Sequence, residues 1–267
     1  MSTARQGVRL DQVVVERGGH RVLDAVTATF AAGTVTALIG PNGAGKSTLL
    51  HAVAGILDPL SGTIDPRPSA DEITVAYVLQ GTQVSEHLPV SVREVVTMGR
   101  YARTGLVGRL GAADRRAVDE AMERLDVADL ASRQVRDLSG GQRQRAFVAQ
   151  GLAQEADVLL LDEPITGLDV VSQRLILDAI VAERDAGRVV VTSTHDLGEA
   201  AHADQVLLLA GRVVASGPPA EVLVVDNLAI AYGHRIVTLG DGVIMLDDAP
   251  HHDHGAGDVH PHPGHSH

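Results

Sequence analysis

No cysteine occurs anywhere in the 267 residues. That excludes a disulfide framework and any thiolate metal site, and it suits a reducing compartment. Tryptophan is missing too, and aromatic residues make up only 2% of the chain, so a ring would find few partners to stack on. Positive charge is scarce. Lys and Arg number 22 against 34 Asp and Glu, a net charge of −12. Such a balance argues against nucleic acid as a partner. No apolar run approaches the roughly 20 residues that span a bilayer. The first residues, Met1 to Gln6, carry no apolar core of the signal-peptide kind. The expectation is a protein that is soluble, or docked on a membrane through a partner. With 45% hydrophobic residues, the chain has material for one large domain or two small ones.

What is present is organised around Gly40-Pro41-Asn42-Gly43-Ala44-Gly45-Lys46-Ser47-Thr48. The pattern G-x-x-x-x-G-K-[ST] is a phosphate-binding loop. Its glycines let the backbone wrap closely round an anion, and successive N–H groups form a concave nest. A helix starting near Gly45 adds the positive end of its dipole. Lys46 would reach the β- and γ-phosphates, and the Ser47 hydroxyl would meet Mg²⁺. The apolar run Val35 to Ile39 reads as a buried strand before the loop, and Ser47 to Leu57 has helical spacing after it.

Upstream, residues 8–16 alternate as a half-buried strand. Arg17-Gly18-Gly19-His20 reads as a turn, and Val22 to Phe30 as the returning strand. A small antiparallel sheet therefore precedes the loop. Asp58-Pro59 and Ser61-Gly62 mark a break. Ile73 to Leu79 is a β-branched run that ends at Gln80. Val92 to Tyr101 and Ala112 to Leu130 have helical periodicity without strand signals, like a helical block inserted in an α/β core. Short buried strands (Val158 to Leu161, Val189 to Val191) then alternate with helices, which implies a parallel sheet. Two hairpins follow, Val206–Ala215 and Ile236–Leu246. The expected fold is α/β: a P-loop NTPase core with a mainly parallel sheet, an N-terminal antiparallel β subdomain and an inserted α-helical subdomain. The expected limits are 1–225 for the ATPase domain, with the helical part at about 84–150, then 226–248 for a hairpin extension. Residues 249–267 read as a disordered His-rich tail.

Two further stretches carry chemistry. Asp162-Glu163 ends an apolar strand, so two carboxylates arrive at the carboxyl edge of the sheet, where ligands of such sheets bind. Asp162 would hold Mg²⁺, directly or through water. Glu163 would orient and deprotonate an attacking water. In Leu138-Ser139-Gly140-Gly141-Gln142, Ser139 is a good N-cap and Gln142 completes a capping box. Two adjacent glycines are costly there unless a backbone approaches something closely.

This pentapeptide matches letter for letter the signature of the ATP-binding cassette (ABC) ATPases, which the chain resembles over roughly residues 8 to 225. The resemblance implies further roles. Gln80 occupies the place of the family's Q-loop glutamine, a ligand of Mg²⁺ and of the attacking water. Thr166-Gly167-Leu168-Asp169 looks like the D-loop, and His195 like the switch histidine that meets the γ-phosphate. It also implies a head-to-tail homodimer, in which Ser139-Gly140-Gly141 of one subunit closes over ATP held by the other. A two-fold interface makes both sites at once. One position departs from the pattern: the aromatic that stacks adenine is replaced by Arg17, whose guanidinium can also stack on a base; His20 is a less apt substitute.

The gap between phosphate loop and signature has no room for a long coiled coil, and only one cassette is present. The chain thus looks like the ATPase subunit of a transporter with separate permease chains, bound peripherally at the cytoplasmic face of the cell membrane. The stretch Val92 to Tyr101 resembles importer ATPases for zinc and manganese. Those for iron–siderophore complexes and cobalamin carry a similar stretch, so they remain an alternative, as does an ABC ATPase working without a permease. An importer also implies an extracytoplasmic substrate-binding protein as an indirect partner. In the tail, His251, His252, His254, His260, His262, His265 and His267 lie within 17 residues. Imidazole favours Zn, Cu and Ni, so this segment is a candidate Zn²⁺ chelator beside the implied cofactors ATP and Mg²⁺.

Overall fold

The computed structural model describes residues 7–67, 73–79, 89–104, 109–233, 236–239 and 243–246. The chain opens with β1 (Val8–Arg17) and β2 (His20–Phe30), joined by the Gly18-Gly19 turn. They pair antiparallel, Val8 opposite Phe30 and Arg17 opposite His20. Val8 and Leu10, then Val13 and Val15, are buried two residues apart, and the phase shifts at a bulge where Gln12 takes φ 51°. β3 (Thr34–Ile39) leads into α1 (Lys46–Val53). β4 (Ser61–Asp65) then returns beside β1, giving a three-stranded sheet in the order β2-β1-β4. The Ser61-Gly62 turn signal concealed this strand.

β5 (Val75–Val78) is followed by α2 (Val92–Met98), α3 (Tyr101–Thr104) and α4 (Ala112–Arg124). The expected single helix over Val92 to Tyr101 is broken at Gly99-Arg100, where the backbone lies against the Gln150 carbonyl with no space for a Cβ. The expected helix to Leu130 stops at Arg124, because Asp126 takes φ 51°; a separate 3-10 turn covers Ala128–Leu130. Next come α5 (Gly140–Ala153), β6 (Val158–Asp162), α6 (Val170–Asp185) and β7 (Val189–Thr194). The chain continues with α7 (Leu197–Ala200), β8 (Gln205–Leu209), β9 (Val213–Gly217), α8 (Pro219–Val222) and α9 (Val225–Tyr232). β10 (Ile236–Leu239) and β11 (Val243–Leu246) pair as a hairpin.

The main sheet runs β5-β6-β7-β3-β8-β9. All neighbours are parallel except β8 and β9. β6 is buried along its whole length, as a strand covered on both faces should be. One core layer joins Leu38, Leu160 and Val191 to Leu49 and Leu50 of α1 and to the antiparallel sheet. The other joins Leu159, Leu161 and Val190 to Val95, Met122, Val148 and Ile176. The helical block therefore shares one core with the sheet. Arg124 of α4 also donates to the buried Glu183 of α6 at 2.8 Å, and Glu183 pairs with Arg188 as well. The register sets Ile39 beside Thr194 and Asp162 beside Ser193. The carboxyl ends of β3, β7 and β6 thus form one edge, where the loops bearing the candidate residues emerge.

Candidate functional site

Helix α1 begins without a cap. Its N-cap residue is Gly45, no side chain bonds the first turn, and no acidic residue lies in that turn. The first N–H groups of an α-helix lack intrahelical partners, so those of Lys46, Ser47 and Thr48 stand at an open, positive helix end. Gly45 has φ 97°, and a Cβ there would sit 2.6 Å from Leu23 Cδ2. Only glycine lets the loop press against β2 and turn into the helix. The β8–β9 turn braces the loop from the other side, where the Gly211 N–H donates to the Ala44 carbonyl at 2.9 Å. Lys46 is buried, and its Nζ donates to the Gly40 carbonyl at 2.7 Å and the Pro41 carbonyl at 3.3 Å. Ser47 is exposed, whereas Thr48 is buried. Pro41, Asn42 and Gly43 complete the concave turn, with the Ala44 N–H bonded to the Pro41 carbonyl.

Next to this loop, β6 presents Asp162, which is 6% exposed. The Ser193 hydroxyl donates to Asp162 Oδ1 at 2.5 Å, and the Tyr77 hydroxyl donates to Oδ2 at 3.2 Å. Burial first, then the Asp162 charge and hydrogen bond, push the Tyr77 phenol well above its ordinary range. It therefore stays a donor at any working pH. Glu163 follows in the left-handed region, φ 46°, and its N–H donates to Ser193 Oγ at 2.9 Å. One buried hydroxyl thus fixes both carboxylate residues. Glu163 Oε2 lies 3.4 Å from His195 Nδ1 and accepts from Thr166 Oγ1 at 3.4 Å. His195 follows β7 and is about half exposed. Beside it, the Thr194 hydroxyl donates to Glu199 at 2.5 Å. Burial raises the Glu199 carboxyl, the Thr194 bond lowers it, and the Asp196 and Glu163 charges raise it further against the pull of His195.

An uncapped helix start, a buried Lys, an exposed Ser and a carboxylate fixed by two hydroxyls suit a nucleotide with its Mg²⁺. Sequence reasoning missed Ser193, Tyr77 and Glu199. A hydroxyl inside the run Val189 to Thr194 was a signal for Ser193, because a buried Ser in a strand wants a polar partner.

The signature stretch adopts the expected capping box. Ser139 Oγ accepts from the Gln142 N–H at 3.2 Å, and Gln142 Oε1 accepts from the Ser139 N–H at 3.1 Å. The two glycines differ. A Cβ on Gly141 would meet Ser172 Oγ at 2.5 Å and Asp169 Oδ2 at 2.6 Å, whereas one on Gly140 would meet nothing within 4 Å. Asp169 caps α6, accepting from the Ser172 N–H at 2.9 Å and the Ser172 hydroxyl at 2.8 Å. These donors hold its carboxyl below the usual range. Gly141 is thus explained by its own chain's Asp169; Gly140 is left open. Arg17 is exposed at the end of β1, opposite His20. Gln80 and the seven tail histidines lie outside the described residues. Among the described residues, no group of three or more His, Asp or Glu is placed to hold a metal ion, and no helix is long and apolar enough to cross a membrane.

Residues 23–166 match the ABC transporter family. The chain is 39% identical over 237 residues to the manganese transport system ATP-binding protein MntA of Synechocystis sp., covering 86% of this chain and 91% of that one. It is 36% identical over 240 residues to the zinc transport system ATP-binding protein TroB of Treponema pallidum, covering 88% and 90%. Among solved structures it is similar to cbiO1 of Clostridium perfringens, part of the ABC transporter complex cbiONQ. That match has a TM-score of 0.67 and 28% identity, and covers 84% of this chain and 92% of that one. With the open helix start at Gly45, the fixed Asp162-Glu163 pair and the capped signature helix, these likenesses are of one kind: the chain belongs to the ABC transporter family and is an ATPase subunit of it.

Proposed function

We propose that this protein hydrolyses ATP to drive uptake of a divalent metal, manganese or zinc, through separate membrane permease subunits. The observation that carries the ATPase part is the meeting of Lys46, Asp162, Glu163 and His195 at one sheet edge. The cargo follows from relatives whose names state manganese or zinc transport. In this reading the N–H groups at Gly45 to Thr48 and the Lys46 ammonium cradle the phosphates. Ser47, Asp162 and Gln80 would hold Mg²⁺, which would offset charge on the phosphates. Glu163 takes a proton from the attacking water, and His195 meets the γ-phosphate. Their 3.4 Å separation supports a shared task. Arg17 lies against adenine.

The second half of the site comes from another copy of the chain. The open face at Gly140 supports this, because a phosphate oxygen can approach its N–H while the Ser139 hydroxyl still has a proton to give. Asp169 then serves both the signature helix of its own chain and the dimer contact. The helical block meets the permease. A cavity of about 260 Å³ between β5, α2 and α5, rimmed by exposed Leu79 and Met98, supports that docking face. The complex sits peripherally at the cytoplasmic face of the membrane and receives metal from an extracytoplasmic binding protein. The ATPase domain spans 1–225 with its helical part at about 84–150, followed by the hairpin extension and the tail, whose histidines bind Zn²⁺.

The test is uptake of radioactive manganese and zinc by vesicles carrying this protein together with its permease subunits. ATP-dependent accumulation is expected, and Glu163→Gln should abolish it while trapping an ATP-bound dimer on size exclusion with Mg-ATP. Uptake of neither metal overturns the cargo, and an all-monomer elution overturns the shared site. Deleting residues 249–267 should lower zinc binding by the purified chain; unchanged zinc binding removes the tail from the scheme.

A further inference from the structure

Tyr77 lies on β5 in register with Leu160, two residues before Asp162. Those two residues span roughly 6–7 Å along a strand. A side chain reaching Asp162 from there must point the same way as Leu160, be long, and end in a donor. Tyr77 meets all three needs, and its hydroxyl lies 3.2 Å from Asp162 Oδ2. The ring is held from behind by His51 of α1, edge-on, with centroids 5.4 Å apart and planes at 89°. His51 stands on the helix that the phosphate loop opens. Tyr77 is also one of the residues that line the cavity between β5, α2 and α5, with Leu79, Met98 and Phe147.

We infer that Tyr77 is a positioning residue for the magnesium-holding carboxylate, fixing Asp162 from the outer strand while Ser193 fixes it from the inner one. The inference rests on the reading of Asp162 as the carboxylate that holds Mg²⁺. Each carboxylate oxygen takes one hydroxyl and keeps lone pairs for the cation. Both donors are neutral hydroxyls. With only Ser193 left, the group could rotate about its Cβ–Cγ bond and offer its free oxygen in several directions.

Tyr77→Phe removes the hydroxyl and keeps the ring and its His51 contact. The full-length protein is titrated calorimetrically with a non-hydrolysable ATP analogue, once in Mg²⁺ and once in EDTA. The expected result is an affinity about tenfold weaker than wild type in Mg²⁺ and unchanged in EDTA. Unchanged affinity in both buffers overturns the inference. So does an equal loss in both, which would mark a purely structural ring. Asp162→Asn separates the two readings. If it removes the advantage of Mg²⁺ over EDTA while Tyr77→Phe does not, only the Tyr77 inference falls. If Asp162→Asn keeps that advantage, the magnesium reading of Asp162 falls and the inference with it.

Discussion

Helix α1 starts at Gly45 with no side chain closing its first turn, whereas α5 starts at Ser139 with a reciprocal pair, Ser139 and Gln142, spanning its first turn. Both begin beside glycine, and both expose a positive helix end. The first leaves its donors without a side-chain partner, as the proposed phosphate site requires. The second has already satisfied the Gln142 N–H and the Ser139 N–H, so it holds its shape without any ligand. An open start is a binding site at a cost in local stability; a capped start is a preformed tool with one face, Gly140, left free. The proposed site in two halves needs such a split, with one half to capture a nucleotide and one to complete the enclosure later.

The largest effects should separate these halves. Lys46→Ala removes a buried cation from the loop, so ATP binding by the isolated chain should be lost. Turnover should fall by about two to three orders of magnitude. Ser139→Ala should leave ATP binding by the dilute chain within about twofold, lower turnover, and cost about 1 kcal/mol of stability through the missing cap. Equal losses of binding in the two variants would erase the distinction between the helix starts. The neighbouring glycines refine it. Gly141→Ala drives a Cβ into Ser172 and Asp169 and should cost about 1–3 kcal/mol in thermal unfolding. Gly140→Ala enters open space, so the melting point should hold or rise slightly while turnover drops. Matching melting points for the two would sink the assignment of Gly141 to packing within its own chain.

How much of this was legible in the residues follows the same line. Gly40 to Thr48 and Ser139 to Gln142 carry their geometry locally, in loop and cap chemistry, so spacing alone located them. The alternation Val8-Leu10-Val13-Val15 and the apolar run Val158 to Leu161 likewise announced their strands. β4 was hidden because its edge position and Gly62 read as a turn. The close approach that Gly99 permits was hidden because the Gln150 carbonyl of α5 that it meets lies some 50 residues away. Ser193 and Tyr77 were missed because Asp162 lies 31 and 85 residues from them; Glu199 is only five residues from Thr194, but the pair meets through the turn into α7 and not through a regular period. Asp162 is brought to Tyr77 and Ser193 by parallel register, which a local pattern does not record. Arg17 sits between these cases. Its place at a Gly-Gly turn was readable, and its use is the weaker expectation. Arg17→Ala should raise KM for ATP about threefold, the worth of a solvated cation–ring contact; an unchanged KM removes it from the site.

The smallest expected effect carries the open-and-closed contrast to α6 and α7. Asp169 and Glu199 are both carboxylates at helix starts, yet their surroundings push them in opposite directions. Asp169 is held low by the N–H and hydroxyl of Ser172. Its contribution is present above the usual Asp range and is lost as pH falls through the depressed folded value. Glu199 is raised by burial and by the Asp196 and Glu163 charges. Its folded form favours the proton, so its contribution is full below the ordinary Glu value of about 4.3 and is lost as pH rises through the raised folded value. Glu199→Gln keeps an acceptor for Thr194 and removes the buried charge. Relative to wild type, its melting point should be level near pH 4 and gain about a degree or two by neutral pH. Asp169→Asn should do the reverse, destabilising most at neutral pH and least in acid. Melting curves of both variants across that range decide the point. Parallel trends would mean that the helix starts, and not burial and neighbouring charge, govern the two groups.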